Sequence, residues 1–365
     1  MLELTALPAR QGDAIWIRWG DPAAPHQMFV DMGTEAIGKK IRQRLSALPE
    51  AERKLDLLVI SHVDADHIGG VLTCLAEAPP IRAFGIDDVW FNGFEHLSGR
   101  SITPSPALEP MGPAQGERLS NWLRKQTWNQ AFAHGPVRRV PDEAPPTVTL
   151  HDDLKLTVLG PTPERLAAFI DTWEDEVSEA IERGSLDPDI VSPGLEPMGS
   201  SRPPVHGEDA DLLQLAESDD STDSSKANGS SISLLLEYEG RRILLAGDAF
   251  ADDLLAGIQT VSPGKQLHLD LFKLPHHGSK KNIHRSFIEA VDCDLWLFST
   301  DGTRFKHPDA EAIARVIHFS SNEKPLLSFN VRSTFNGWWD NPDWKKRFQY
   351  ETQYGREDPG LVLKF

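Results

Sequence analysis

The chain has 365 residues, with 37 Lys and Arg against 55 Asp and Glu and a formal net charge of −18. A general nucleic-acid-binding face needs many Lys and Arg contacts to phosphates, so this balance excludes one, and any anionic substrate must be met by local positive charge. Two cysteines, Cys74 and Cys293, exclude a disulfide framework, the start lacks the basic and apolar segments of a signal peptide, and no apolar run reaches membrane-spanning length. The expectation is a soluble, cytoplasmic protein with no membrane partner.

Residues 2–7 and 14–19 alternate toward strand and turn at Gln11-Gly12-Asp13, and Met28 to Gly33 reads as a third strand ending in a glycine turn. Residues 35–48 place Ile37, Ile41, Leu45 and Leu48 on one helical face and stop at Pro49. Leu57 to Ile60 has the length and branching of a buried strand, and the chain from Ile68 has helical spacing. Between them lie His62, Asp64, Asp66 and His67, four candidate metal ligands in a strand-to-helix turn. Side chains two apart on extended backbone point the same way, so His62 and Asp64 can close on one ion. Asp66 and His67, where the chain turns into the helix, can face a second. Imidazole nitrogen and carboxylate oxygen suit zinc, iron or manganese, and a two-ion site holds its metals roughly 3.5–4 Å apart around a shared water.

Residues 86–91 read as a strand, 97–116 as loop, and 117–132 as a helix carrying Leu119, Trp122, Leu123 and Phe132. A strand over 154–159 leads through Thr162-Pro163, a good cap and first position, into a helix over 163–182. From about Gly184 to Lys226, Pro, Ser, Asp and Glu dominate, which marks an acidic insertion, mobile at least in part. It is either a spacer or a lid, and it is where a protein partner would attach. A hairpin over 232–238 and 241–246 then ends in Gly247-Asp248, followed by a helix, a strand over 267–274, and the run Pro275-His276-His277-Gly278-Ser279. Strands over 294–299 and 325–330 flank a helix over 308–318, and 349–353 and 361–365 close the chain as strands. Strand runs in both halves with helices between them predict an α+β chain. The pattern suits a four-layer αββα sandwich, one domain over 1–365 interrupted by the acidic insertion, better than a parallel doubly wound sheet.

Asp31, Asp248 and His276 each follow a strand, and strand ends on one rim of a sandwich lie near each other. Asp248 is placed to bridge two ions and His276 to complete the second. With these residues the chain resembles the metallo-β-lactamase superfamily, and within it the soluble metallohydrolase domain of the DNA-uptake channel protein ComEC. The resemblance runs in order through ARQGDAIWIRWG and FVDMG, SHVDADHIGG, NGSSISLLLEYEGRRILLAGD, KLPHHGS and FSTDGTRFKHP. It implies the αββα fold and a rim site in which His62, Asp64, Asp66, His67, Asp248 and His276 match the metal positions. Two departures matter. Asp64 stands where the commonest loop, HxHxDH, has a second His, and Asn228 stands where many members place another His. More oxygen in the donor set brings manganese, and even magnesium, alongside zinc as the expected pair of divalent ions.

Two cations would make water nucleophilic near neutral pH, with Asp66 and Asp248 orienting it and His277 or His307 supplying the leaving-group proton. Asp13 and Asp31 are expected to fix ligand orientation. Lys273, Lys280, Lys281, His284 and Arg285 surround HHGS, and Arg304, Lys306 and His307 follow. In so acidic a chain these clusters favour a phosphate-bearing substrate, DNA, RNA or a nucleotide, with Lys280, Lys281 and Asn228 as contacts. The expected activity is therefore that of a metal-dependent phosphodiesterase or nuclease. Hydrolysis of an amide, lactam or thioester on the same metals, and a metal-binding scaffold without turnover, are the alternatives.

Overall fold

A computed structural model describes residues 1–99, 112–183, 211–218 and 221–365. Two mixed sheets dominate it. The first runs, edge to edge, through Leu361–Lys364, Leu2–Ala6, Ile15–Trp19, His26–Val30, Leu57–Val59 and Val89–Trp90. The second runs through Glu351–Tyr354, Leu326–Phe329, Leu295–Phe298, Leu271–Lys273, Arg241–Leu245, Ser233–Tyr238, Lys155–Gly160 and Thr147–Thr149.

Three apolar layers follow from the two-residue period of the strands. Leu57, Val59, Leu234, Leu236, Ile243 and Leu271 meet between the sheets. Leu58 and Ile60, pointing the other way, pack with Ile37, Ile41, Ile68 and Val71 under the helices Glu35–Ala47 and Ala65–Val71. Leu235, Leu244, Phe272 and Trp296 pack with Leu254 and Ile313 under the helices Ala251–Val261 and Ala310–Phe319. Helix, sheet, sheet, helix is the αββα order expected from the sequence. Each such fully buried Leu, Ile or Phe contributes about 1.5–3 kcal/mol of burial.

Several boundaries differ from the sequence reading. The helix expected over 117–132 spans Gly112–Leu123, and Phe132 falls in a separate turn, Gln130–Phe132, between left-handed Asn129 and Ala133. The strand expected over 267–274 splits into Leu267–Leu269 and Leu271–Lys273, paired in different sheets. The distal end of the acidic segment is packed rather than mobile. Leu212 and Ala216 of the helix Leu212–Ala216 are buried against the helix Ala310–Phe319, and Arg315 donates to the Ser218 carbonyl at 3.0 Å. Residues 184–210, where the rest of that insertion lies, fall outside the described residues, as do 100–111 of the loop expected over 97–116. Among the described residues no helix is long and apolar enough to cross a membrane. Cys74 and Cys293 are free and buried.

What positions the site is the parallel part of each sheet. Strands His26–Val30, Leu57–Val59 and Val89–Trp90 run in parallel, as do Arg241–Leu245, Leu271–Lys273, Leu295–Phe298 and Leu326–Phe329. Their carboxyl ends lead directly into Asp31, Ser61-His62, Gly247-Asp248, His276-His277 and Ser299. At that rim the two sheets are joined by the Ile232 amide, which donates to the Ser61 carbonyl at 2.9 Å.

Candidate metal centre

The loop 61–67 leaves its strand and enters the helix Ala65–Val71 at Asp64. Two glycines permit contact no side chain would allow: a Cβ on Gly70, just after the loop, would stand 1.9 Å from the Met32 carbonyl oxygen, and one on Gly12, far before it, would stand 1.7 Å from that of Asp66. The helix is thereby pressed against the turn carrying Asp31, and Asp13 is brought beside the motif. Asp31 is fully buried with φ 58, and its carboxylate accepts from the Ser61 amide at 2.8 Å and the Ser61 hydroxyl at 2.7 Å.

Four histidines surround one carboxylate. The Nδ1 of His67 is 2.8 Å from Asp31 Oδ2, and that of His277 is 2.9 Å from the Ser299 carbonyl. That of His276 is 2.9 Å from Asn282 Oδ1, and that of His62 is 3.0 Å from the Ser61 hydroxyl oxygen, whose own proton goes to Asp31. These partners accept, so each imidazole carries a proton on Nδ1 and turns its Nε2 inward. The inward nitrogens gather on Asp248 Oδ2, at 3.4 Å for His67, 3.6 Å for His277, and 3.9 Å for both His62 and His276. Asp66 lies 3.6 Å from His277 Nε2 and Asp64 lies 3.5 Å from His62 Nε2.

Such a set fits divalent cations on its own chemistry. The Nε2 atoms of His67 and His277 stand 3.3 Å apart and both face Asp248. Among the described residues the buried His62 Nε2 and Asp248 Oδ1 have no hydrogen-bond partner. One ligand atom from each of Asp13, His67, Asp248 and His277 lies within 4.8 Å of the others. The pocket also favours positive charge. Burial opposes a charge on His67, but the carboxylates of Asp248 and Asp31 outweigh it and hold its pKa well above the usual imidazole range. Asp248 is held well below the usual carboxylate range by His67, His277 and His276, against its own burial. Among the described residues two other groups of His and carboxylates lie outside this rim, and a cation already serves each: Lys54 bonds Asp87 at 2.6 Å, and Arg241 bonds Asp270 at 2.6 Å.

The structure redistributes several of the expected roles. His62, His67 and His276 lie within 3.9 Å of Asp248, with Asp64 beside His62 and Asp66 beside His277, and His277, expected as a proton donor, stands with His67, Asp248 and Asp13 in one group of potential ligand atoms. Consecutive left-handed residues, His276 at φ 46 and His277 at φ 56, let both neighbours in the chain face Asp248. His307 is buried beside the cluster, its ring 5.7 Å from that of His276. Lys273, counted in the basic cluster, is buried and paired with Asp13, while its Nζ also donates to the Gly247 carbonyl at 3.1 Å. Lys280 is bound to Glu311 at 2.8 Å. Asn228 is buried, and its amide nitrogen donates to Asp223 at 2.7 Å, so it faces this network rather than open solvent. Sequence reasoning missed Ser61, Ser231, Asn282 and Asp223. Ser231 accepts from the Asp248 amide at 3.1 Å and lies 3.2 Å from His62 Nδ1. A short polar residue beside His62 was the available signal for Ser61, and Ser231 had only its place just before a strand; Asp223 sits in a run whose composition masked it.

Fold and site together define an αββα sandwich with a cluster of metal-ligating side chains at one rim. Residues 28–154, which carry Asp31 and the whole ligand loop, match the family model of the metallo-beta-lactamase superfamily. No curated protein matches the chain significantly in sequence. Among solved structures it is similar to YhfI from Bacillus subtilis, a metallo-beta-lactamase fold protein, at 12% identity and TM-score 0.41 over 99% of this chain and 98% of that one. It is also similar to Zn(2+)-bound PqqB from Methylobacterium extorquens, at 11% identity and TM-score 0.43 over 100% of both chains. A mutant of the CmlA beta-hydroxylase is similar at 10% identity and TM-score 0.39, over 100% of this chain and 53% of that one.

Proposed function

We propose that the protein is a metal-dependent phosphodiesterase or nuclease. The observation that carries the hydrolase reading is the convergence of four Nε2 atoms on Asp248. His67, His277 and Asp66 would hold one divalent ion and His62, Asp64 and His276 the other, with Asp248 shared between them. What such ions supply when bound is acidification of water and neutralisation of charge on the attacked group. The chain's own groups do the rest. Asp66 and Asp248 accept hydrogen bonds from the attacking water, and the Nδ1 partners keep the imidazoles from turning. With His277 among the ligands, His307 is the proton donor for the leaving oxygen, 3.6 Å from Asp309, which orients it.

The phosphate reading rests on the charge left at the rim once Lys273 and Lys280 are paired. Arg304 is exposed and lies over Phe305, whose ring is 6.3 Å from His307. The Asp301 amide donates to the Arg10 carbonyl at 2.7 Å, which ties exposed Arg10 to the same loop. The test is turnover by the metal-reconstituted protein on bis-p-nitrophenyl phosphate, single-stranded DNA, duplex DNA and RNA, set against thioester and lactam substrates. Hydrolysis of phosphodiesters is expected. Turnover of the carbonyl substrates alone would replace the phosphate reading, and a fully loaded protein inert on all of them would leave a metal-binding scaffold.

A further inference from the structure

The last residues of the acidic segment return to the metal centre. Ser218 is held by Arg315, the Ser221 carbonyl lies 3.0 Å from His284 Nε2, and two residues later the Asp223 side chain is buried, 4% exposed. One oxygen of that carboxylate, Oδ2, accepts from Asn228 Nδ2 at 2.7 Å and from Asn282 Nδ2 at 2.9 Å, and stands 3.4 Å from His276 Nδ1. The other, Oδ1, accepts from the Ser225 amide at 2.9 Å.

A carboxylate at neutral pH only accepts, whereas a side-chain amide has a donating end and an accepting end. Asp223, at 2.9 Å the shortest of three acceptors of Asn282 Nδ2, therefore selects one of the two orientations of that amide, with the Asp248 and Ala249 carbonyls at 3.3 Å on the same side. With Nδ2 turned to Asp223, Asn282 Oδ1 faces the imidazole 2.9 Å away, and His276 must keep its proton on Nδ1. Its Nε2 is then left with a lone pair toward Asp248 Oδ2. Reversing the amide would set a donor against His276 Nδ1 and place the proton on Nε2, where it blocks ligation. We propose that Asp223 is a positioning residue: acting through the Asn282 amide, it fixes the tautomer of His276 so that this histidine can hold the first ion. The proposal rests on the reading of His276 as a ligand. It gives the distal end of the acidic segment a task in the centre that composition alone disguises.

The test uses the full chain with Asp223→Ala and Asp223→Asn, each titrated with zinc against a competing chelator. Asp223→Ala should weaken one of the two ions by about 10–100-fold, the usual cost of losing such an outer partner, and leave the other near its original affinity. Asp223→Asn keeps an oxygen that can accept from Asn282, so it should restore most of the loss. Long-range 1H–15N spectra give a second readout in metal-free and zinc-loaded protein. His276 should be protonated at Nδ1 in the parent and in Asp223→Asn, and not uniformly so in Asp223→Ala. An unchanged tautomer with unchanged affinities in Asp223→Ala would overturn the proposal. So would equal weakening of both ions with a lowered melting temperature, which marks a mere brace, or Asp223→Asn behaving as badly as Asp223→Ala. Failure to hydrolyse phosphodiesters would count against the function proposed above and would alter none of these readouts.

Discussion

The two sides of the metal centre are braced by different means. Around His67 and His277 the support is short and deep: Asp31 is fully buried on His67, the Ser299 carbonyl holds His277, and the two ligand nitrogens are already 3.3 Å apart. Around His62 and His276 the carboxylate of Asp64 is 32% exposed, the nitrogens lie 3.9 Å from Asp248, and His276 depends on amides aligned by Asp223. One pocket is set by strand ends that the core already fixes. The other is completed by a segment that enters from outside the sandwich. Preorganisation differs accordingly, and so should affinity.

Asp248 belongs to both sides, and its replacement should have the largest effect. Asp248→Asn keeps the size of a buried side chain and removes its charge, so the fold should persist by circular dichroism. Turnover should fall by more than the roughly 10–100-fold that outer partners cost, and metal content should drop at both positions. Full activity at full metal content would refute the shared-carboxylate assignment.

Graded chelation probes the asymmetry itself. The ion on the His62 side should leave first, in a step separated from the second, with activity lost in that first step. A single step removing both ions would show that the two sides are equal. The two carboxylates in each donor set also predict better turnover with manganese than with zinc at equal occupancy, and Asp64→His should shift that preference toward zinc.

The same contrast explains what was legible in the sequence. His62, Asp64, Asp66 and His67 fall within one strand-to-helix turn, so periodicity and donor chemistry expose them together. Asp31, Asp248 and His276 could be found because each follows an apolar strand. Legibility ended where a residue's role depends on rotation of the local backbone or on a partner far along the chain. The left-handed backbone at His276 and His277 is what brings both imidazoles to Asp248, and no spacing rule separates two adjacent histidines. Lys273 and Lys280 looked like a phosphate site because charge was read without its counterions, Asp13 and Glu311, which lie far off in sequence. Asp223 was hidden in a run of Asp and Ser whose composition reads as solvated.

Substrate contacts should separate along the same line, with a moderate effect. Arg304→Ala should raise the KM of a nucleic acid substrate and reduce the steepness of its salt dependence by about one counterion, with little change in kcat. Lys280→Ala should do neither, because its ammonium is held by Glu311 in a partly exposed pair worth about 0–1 kcal/mol. Equal salt slopes in the two variants would reject Arg304 as a phosphate contact.

The smallest effect on catalysis is expected at Glu117, which tests whether the stiffness of the first-described pocket is merely overall stability. Glu117 lies on the helix Gly112–Leu123, which packs so closely on the ligand loop that a Cβ at Gly116 would be 3.2 Å from Val63. The residue is 1% exposed, and its carboxylate accepts from Trp173 Nε1 at 3.1 Å. Burial pushes its pKa from 4.5 up to about 7, against the opposing pull of Arg124 and Trp173. The sign is opposite to that of a paired carboxylate. Between the unfolded and folded values the folded chain keeps a proton that the unfolded chain has lost, so stability falls as pH rises through that window and then levels off. The cost is about 1.4 kcal/mol for each unit of separation. Glu117→Gln should flatten the melting temperature between these two pKa values and melt higher than the parent above the upper one. Zinc affinities and kcat should stay unchanged across the same range. A variant that melts higher but binds either ion differently would mean that the pocket's geometry follows the supporting helix, rather than the strand ends that carry Asp31 and Asp248.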